Sequence, residues 1–157
     1  MTEALSPMSP NSTIGIVGGG QLGRMLASGA ARLGYRTVVL EPIEDAPAAQ
    51  LANRQIVAAY DSEAALAELA NLCDVVTYEF ENVPLSAAHF LEERVSLYPP
   101  AKALEVSQDR LIEKTTLEQA GIDVAPFRSV DNGDDLRNAL TEFGGGVLKT
   151  RRFGYDG

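Results

Sequence analysis

A turn made mostly of glycines, at residues 18–23, most strongly limits what this chain can fold into. The turn reads Gly-Gly-Gly-Gln-Leu-Gly and comes directly after a short β-branched run at 13–17. Leucine and methionine recur at helical spacing over residues 21–33. A strand that passes through such a turn into a helix is typical of a parallel α/β sheet. Amides at the start of that helix can bind an anion such as a phosphate or a carboxylate.

The alternation of strand and helix patterns continues to residue 98. Further strands are predicted at 36–40, 55–58, 74–78 and 95–98, and further helices at 62–72 and 85–94. Two successive prolines follow, Pro99 and Pro100, which lack amide donors and hold the backbone extended. The pattern therefore predicts a flexible leader at 1–12, a first domain at 13–99 and a second domain that begins at residue 100.

The rest of the chain, residues 100–157, ends in a basic glycine loop. A helix is predicted over 102–119, with a break near 107–108. A second helix is predicted from a cap at Asp131 or Asp134 to residue 143. Residues 124–130 are predicted to be extended, and residues 147–149 to form a strand. Lys149 leaves the last of these segments and enters the loop. A strand lysine before a flexible glycine loop is typical of a nucleoside triphosphate site, and the alternative is a solvated charge at a strand end.

Charge and composition exclude several classes of partner. The net charge is −9, from 22 acidic and 13 basic residues, which is unsuited to a polyanionic surface, so nucleic acid is not expected as a partner. No apolar run approaches the roughly 20 residues that a membrane span needs, and no signal peptide is recognisable at the N-terminus. With Cys73 as the single cysteine, no internal disulfide can form. These features predict a cytoplasmic protein without a membrane partner.

The first glycine turn by itself leaves three hypotheses open. Gly18, Gly20 and Gly23 match the dinucleotide fingerprint, and Glu41 follows where a ribose-binding carboxylate would lie. One hypothesis is therefore the nucleotide-binding domain of an NAD(P)-dependent oxidoreductase. A second is a non-catalytic module that binds an anion at the turn, and a third is that the glycines serve only tight packing between strand and helix.

Four motifs, in order along the chain, resemble the N5-carboxyaminoimidazole ribonucleotide synthetase family, ATP-grasp enzymes of purine biosynthesis. They are Gly-Gly-Gly-Gln-Leu-Gly-Arg-Met at 18–25, Thr-Tyr-Glu-Phe-Glu-Asn-Val at 77–83, Gln-Asp-Arg with Glu-Lys at 108–114, and Lys-x-Arg-Arg-x-Gly-Tyr-Asp-Gly at 149–157. The resemblance implies an α/β fold: a Rossmann-like parallel-sheet pre-ATP-grasp domain, followed by the beginning of an α+β ATP-grasp domain over 100–157.

The resemblance also implies a reaction. In this family ATP phosphorylates bicarbonate, and the resulting carboxyphosphate carboxylates the amine of 5-aminoimidazole ribonucleotide to give N5-carboxyaminoimidazole ribonucleotide, ADP and phosphate. ATP and Mg²⁺ are then the expected cofactors, with the metal ligands beyond residue 157 and none in this chain, and a homodimer is an open alternative to a monomer. The 157 residues are expected to be the first part of the enzyme and to be inactive alone.

The family motifs assign site residues. The residues implied to bind ATP are Arg110, Lys149, Gly154, Tyr155, Asp156 and Gly157. The residues implied to bind the ribonucleotide are Gly18, Gly20, Gln21, Leu22, Glu79, Tyr155 and Asp156. Asp156 is the implied catalytic residue, as the acceptor of a hydrogen bond or a proton from the reacting amine. For Glu79 the alternative is an exposed carboxylate that merely follows a strand.

Overall fold

The structure, a computed structural model, describes residues 7–154 and divides into two compact units. The first unit extends to Leu104 and the second begins at Glu105. The predicted domain boundary after residue 99 precedes this division, and the assignment of the domains stays a prediction.

The first unit is built on a five-stranded parallel sheet. Its strands are β1 (Thr13–Val17), β2 (Arg36–Leu40), β3 (Arg54–Ile56), β4 (Val75–Tyr78) and β5 (Ser96–Leu97), in the spatial order β3-β2-β1-β4-β5. Val17 lies opposite Leu40 on one side and opposite Tyr78 on the other. Because these three strands end level, the residues that follow them leave the sheet at one edge. That edge lies where the strand order reverses, between β1 and β4, which is where open α/β sheets bind ligands.

Helices cover both faces of this sheet. They are α1 (Gln21–Arg32), α2 (Glu63–Leu72), α3 (Leu85–Glu92) and α4 (Ala101–Ser107). Successive strand residues point to opposite faces, so Ile16 and Val39 pack with Ala27 of α1, whereas Val17 packs with α2 and α3 in a second buried cluster. The predicted α/β parallel sheet is thereby confirmed. Burial of both faces explains why β1 and β2 read as nearly continuous apolar runs.

Most predicted elements of the first unit lie where the sequence places them. β1 and β2 have the expected bounds, and Ser62 caps α2 by accepting a hydrogen bond from the amide of Ala65. β3 begins one residue earlier than expected and ends two earlier. None of the helices between residues 7 and 154 combines the length and apolar character that a membrane span requires.

The second unit, as far as residue 154, contains helices and no strand. α5 (Arg110–Gln119) is capped by Asp109, and α6 (Gly133–Phe143) is capped by Asn132, not by the predicted Asp131 or Asp134. The predicted break near 107–108 is confirmed, since α4 ends at Ser107. The strand predicted at 147–149 is wrong in this structure. A strand needs a neighbour to take its backbone hydrogen bonds, and no described segment pairs with these residues.

Candidate functional site

The carboxylate of Glu79 lies inside the glycine turn. Glu79 follows β4, and its amide donates to the carbonyl of Val17 at the end of β1 (3.1 Å), which places it beside the turn. Its Oε1 accepts a hydrogen bond from the amide of Gly20 at 2.6 Å, and its Oε2 accepts one from the amide of Gly23. Gly20 is the N-cap of α1 and has no side chain to cap the helix. Glu79 therefore caps α1 from a neighbouring strand, where a negative charge is favourable.

The glycines of the turn leave room for this carboxylate. Gly18 has φ +110°, and a Cβ at this position would lie 2.4 Å from Cγ of Glu79. A Cβ on Gly23 would lie 2.8 Å from Oε2 of Glu79 and 2.8 Å from the carbonyl oxygen of Gly18. Side chains cannot be accommodated at such distances without movement of the turn. The close approach of the Glu79 side chain thus explains why glycine is needed at positions 18 and 23.

A second carboxylate, that of Glu41, holds the turn from β2. Glu41 is buried, and its Oε2 accepts hydrogen bonds from the amide of Gly19 (2.8 Å) and from the hydroxyl of Tyr60 (2.5 Å). Its Oε1 accepts from the amide of Ile43 at 3.1 Å. The pKa of Tyr60 is raised well above its ordinary value, first by burial, then by the hydrogen bond to Glu41 and by the charges of Glu41 and Glu79. Tyr60 thus donates a hydrogen bond to a carboxylate that also accepts from the amides of Gly19 and Ile43.

This geometry argues against a dinucleotide at the turn. In dinucleotide-binding folds the turn amides face the pyrophosphate, and the carboxylate after the second strand accepts ribose hydroxyls. Here the amides of Gly19, Gly20 and Gly23 face two carboxylates of the protein. The segment after Glu41 also covers the turn, because the amide of Ala48 donates to the carbonyl of Gly19 at 2.9 Å. The anion-binding hypotheses therefore lose three of the turn amides on which they depend.

A cavity of about 280 Å³ opens beside the turn in the first unit. Its walls include both carboxylates, Glu41 and Glu79, and the rings of Tyr60 and Phe80, whose centroids are 5.6 Å apart. Carboxylates offer only hydrogen-bond acceptors, so this cavity is suited to a ligand that presents hydroxyl or amine donors. Of the other predicted ribonucleotide-binding residues, Gln21 and Leu22 are exposed at the first turn of α1.

The second unit brings Arg110 and Lys149 to one cavity of about 620 Å³. Arg110 is the first residue of α5. Leu140 and Phe143 of α6 form part of the apolar wall of the cavity. Lys149 is exposed, and its ammonium has no hydrogen bond or ion pair with any residue between 7 and 154. Arg110 and Lys149 are two of five cationic residues on the cavity, the others being Lys114, Arg128 and Arg151. A partly apolar cavity with such cations can bind a ligand that carries both phosphates and a planar ring.

The remaining predicted residues lie at the end of the chain. Gly154 is exposed, and Tyr155, Asp156 and Gly157 lie outside the described residues. Within residues 7–154, no group of three or more His, Cys, Asp or Glu side chains is placed to hold a metal ion. The described residues therefore do not by themselves form a magnesium site.

A comparison with protein families decides the membership of this chain. Residues 11–108 match the family described as "Ribonucleotide synthetase preATP-grasp domain". The chain belongs to this family. The matched residues contain all five strands of the preATP-grasp domain, its glycine turn and both carboxylates that hold it.

Two relatives that match nearly the whole chain are N5-carboxyaminoimidazole ribonucleotide synthases or synthetases. The chain is 62% identical to the N5-carboxyaminoimidazole ribonucleotide synthase of Brucella melitensis, over 96% of this chain and 42% of that protein. A structure of the Staphylococcus aureus synthetase complexed with ADP matches with 45% identity and a TM-score of 0.90, over 95% of this chain and 40% of that one. The predicted resemblance to these synthetases is confirmed.

A third relative is a structure of the Aspergillus clavatus synthase in complex with ADP and 5-aminoimidazole ribonucleotide. Its identity is 30% and its TM-score 0.78, over 85% of this chain and 36% of that one. The present chain thus spans about two fifths of the length of the relatives that it matches.

Sequence reasoning missed Tyr60 and misread Glu41 in the preATP-grasp domain. A signal for Glu41 was available, because it directly follows β2 and β2 ends level with β1. Tyr60 follows β3 by four residues, in a segment without periodicity, and its contact with Glu41 depends on how that segment folds back. A strand pattern can indicate which residues reach the sheet edge but not which of them pair there.

Proposed function

We propose that this chain is the N-terminal part of an N5-carboxyaminoimidazole ribonucleotide synthase, an ATP-dependent ligase of purine biosynthesis. The observation that carries the proposal is the 62% identity to the Brucella synthase over 96% of the chain. The match spans 151 residues and so extends well beyond the residues of the preATP-grasp domain. The activity belongs to the full-length protein, because the chain spans about two fifths of its relatives.

The proposed reaction has two steps. Attack of a bicarbonate oxygen on the γ-phosphorus of ATP releases ADP and forms carboxyphosphate. The amine of 5-aminoimidazole ribonucleotide then attacks the carbonyl carbon, phosphate leaves, and the amine gives up a proton. Phosphoryl transfer of this kind depends on positioning and on neutralisation of charge more than on a protein nucleophile, and lysine and arginine supply both.

Lys149 and Arg110 are the proposed ATP-binding cations of the chain. Both line one cavity, and Lys149 makes no ion pair with any other described residue, so its charge is available to phosphates. The Staphylococcus relative is complexed with ADP, which supports a nucleotide site in the full-length protein. We propose that 154–157 begin a loop that closes over the phosphates and excludes water from the labile carboxyphosphate.

Glu79 and its surroundings are the proposed ribonucleotide side. The relative from Aspergillus binds ADP and 5-aminoimidazole ribonucleotide together, which supports a second ligand in this family. The Glu79 carboxylate already accepts hydrogen bonds from two amides of the turn. Its remaining lone pairs suit hydroxyl or amine donors and not a phosphate. Gly18, Gly20, Gln21 and Leu22 are proposed to line this side of the ligand.

Tyr155 and Asp156 are proposed to face both ligands, with Asp156 as acceptor of the amine proton. Asp156→Asn should lower the rate of carboxyl transfer by about 10²-fold or more while ATP binding stays near the wild-type value. Asp123→Asn, a change at an exposed carboxylate, is the control. Unchanged turnover of the Asp156 variant would remove its assigned role.

Further features of the full-length protein are proposals as well. Mg²⁺ is proposed to neutralise the phosphates, held by ligands beyond residue 157 as the family resemblance implies. The net charge of −9 supports small molecules and not nucleic acid as partners. A cytoplasmic location and a homodimer complete the proposal.

The deciding experiment is phosphate release from ATP by the full-length protein, with and without 5-aminoimidazole ribonucleotide. Release that requires both the ribonucleotide and bicarbonate is expected, and the 157-residue chain alone should release none. Release that is indifferent to the ribonucleotide, or micromolar binding of NAD or NADP to the chain, would contradict the proposal.

A further inference from the structure

Asp109 makes two kinds of contact at the start of α5. Its Oδ1 accepts hydrogen bonds from the amides of Leu111 (2.9 Å) and Ile112 (3.3 Å), as an N-cap does. The same carboxylate binds the guanidinium of Arg151, with Nε at 3.1 Å from Oδ1 and 3.0 Å from Oδ2 and a terminal nitrogen at 2.7 Å from Oδ2. The carboxylate of Asp109 is thus occupied by the protein on both oxygens.

The neighbours of Asp109 hold the same distant segment. The amide of Arg110 donates to the carbonyl oxygen of Arg151 at 2.9 Å. A terminal nitrogen of Arg152 donates to Oε1 of Gln108 at 2.6 Å. Three successive residues, 108–110, therefore bind two successive residues, 151–152. We call these five residues the 108–152 clamp.

The charges of the clamp reinforce one another. The guanidinium of Arg151, followed by the amides of Ile112 and Leu111, holds the pKa of Asp109 below its usual range against the opposing effect of burial. The hydrogen bond to Asp109 raises the pKa of Arg151 in turn. A carboxylate at a helix N-terminus is also favoured by the helix dipole. The side chain of Asp109 is only 12% exposed, so water competes weakly for its oxygens.

The cations in and beside the clamp differ in whether their side chains have a partner. Arg151 and Arg152 are bound by Asp109 and Gln108, whereas Lys149, two residues before Arg151, makes no ion pair with a described residue. Arg110 uses its backbone amide in the clamp, and its side chain lines the same cavity as Lys149. Holding 151–152 on 108–110 therefore limits how far the backbone at Lys149 can move from the backbone at Arg110.

We propose that Asp109 and Arg151 are positioning residues for nucleotide binding: their ion pair anchors the base of the 149–154 segment on the start of α5 and so sets Lys149 and Arg110 against the phosphates. This inference rests on the proposed function in placing phosphates at those two cations. In this arrangement the Asp109 carboxylate is taken up by Arg151 and the first amides of α5, so the pair acts on the nucleotide through Lys149 and Arg110. Preorganised cations bind without a further cost of ordering the loop, which is why the anchor matters.

Affinity for ADP in the full-length protein tests the proposal without turnover. Asp109→Asn keeps a good N-cap residue but removes the charge, and Arg151→Gln removes the bidentate partner. Each change should weaken ADP binding by about tenfold, as loss of an orienting partner does elsewhere. The double variant should be no weaker than either single variant, because both break one interaction. Arg151→Lys, which keeps the charge without the fork, should recover part of the affinity.

Two further measurements separate positioning from general damage. Affinity for 5-aminoimidazole ribonucleotide should stay at the wild-type value in all these variants. Tryptic cleavage after Arg151 and Arg152 should be faster in Asp109→Asn, since the clamp no longer holds them. The control is Arg137→Gln, which breaks the exposed Asp134–Arg137 pair of α6 and should leave ADP affinity and cleavage unchanged.

Failure of the positioning role can be told apart from failure of the proposed reaction. Unchanged ADP affinity in Asp109→Asn and Arg151→Gln, equal loss of ADP and ribonucleotide binding, or additive effects in the double variant would overturn the positioning role. A wild-type protein that binds ADP but does not carboxylate would refute the proposed reaction and leave this test intact. A wild-type protein that binds no ADP would overturn both.

Discussion

The two segments of this chain that suggest an anion site in the sequence differ in structure. The glycines of the turn at 18–23 are buried or half-buried, and the amides of Gly19, Gly20 and Gly23 are bound by Glu41 and Glu79. The segment at 149–154 is exposed, and two of its cations are bound by residues 108–109. Glycine in the first segment makes space for the protein's own carboxylates, whereas the second segment presents a lysine that the described residues leave unpaired. A glycine loop alone therefore does not identify a phosphate site.

The largest effect that tests this comparison is expected from Lys149→Ala in the full-length protein. Loss of a cation that neutralises phosphoryl charge should lower kcat/KM for ATP by about 10³-fold, with ribonucleotide affinity nearly unchanged. Steady-state phosphate release measures the first quantity and calorimetric titration the second. Lys102→Ala, in the first unit, is the matched control. Equal loss of both affinities would show that the change damaged the fold.

Gly18→Ala should destabilise the chain by about 3 kcal/mol or more, because φ is +110° and the new Cβ would meet Glu79 at 2.4 Å. Urea unfolding of the 157-residue chain measures this loss. Gly29→Ala is the control, since a Cβ there meets nothing within 4 Å and a helical alanine should stabilise by about 0.5–1 kcal/mol. Wild-type stability of the Gly18 variant would mean that the turn does not need its glycine.

Glu79→Gln should cost about 1–2 kcal/mol of stability, because a neutral amide replaces a carboxylate that accepts from two turn amides at a helix N-terminus. The same urea titration detects it. Glu44→Gln, at an exposed carboxylate, should change nothing measurable. If both variants unfold alike, Glu79 is not the cap of α1.

The smallest effect is expected from Tyr60→Phe, which removes the hydrogen bond to Glu41 and should cost about 1 kcal/mol at neutral pH. The folded state raises the pKa of Tyr60, so its neutral form is the one that folding favours. The stability that wild type gains from this group is complete below about pH 10 and declines as the pH rises further. The difference between wild type and Tyr60→Phe should therefore shrink above pH 10.

Tyr98→Phe is the control for loss of a tyrosine hydroxyl, because Tyr98 is 45% exposed and is not hydrogen-bonded through its hydroxyl within residues 7–154. This variant should unfold like wild type at neutral pH. A difference between wild type and Tyr60→Phe that grows above pH 10 would contradict the proposed environment of Tyr60.

Prediction from sequence succeeded where a signal is local. The glycines after β1, Ser62 at the start of α2 and the interruption after Ser107 are each read from a few neighbouring residues, and each lies where expected. The strand predicted at 147–149 failed because a strand is completed only by a neighbour, and none is present among residues 7–154. The cap of α6 was placed on an aspartate beside Asn132, an error of one residue or two.

The order and type of the elements of the first unit, and the motifs that resemble the synthetases, can be read from the amino-acid sequence. Apolar periodicity, caps and turn glycines act over a few residues, so they are recognisable without the fold. The groups that those motifs contact became known from the folded structure alone. The acceptors of the turn amides lie 22 and 59 residues away from Gly19 and Gly20, and Asp109 lies 42 residues from Arg151. Hydrogen bonds over such separations depend on how the strands and helices pack, and packing is not written in any one segment of the chain.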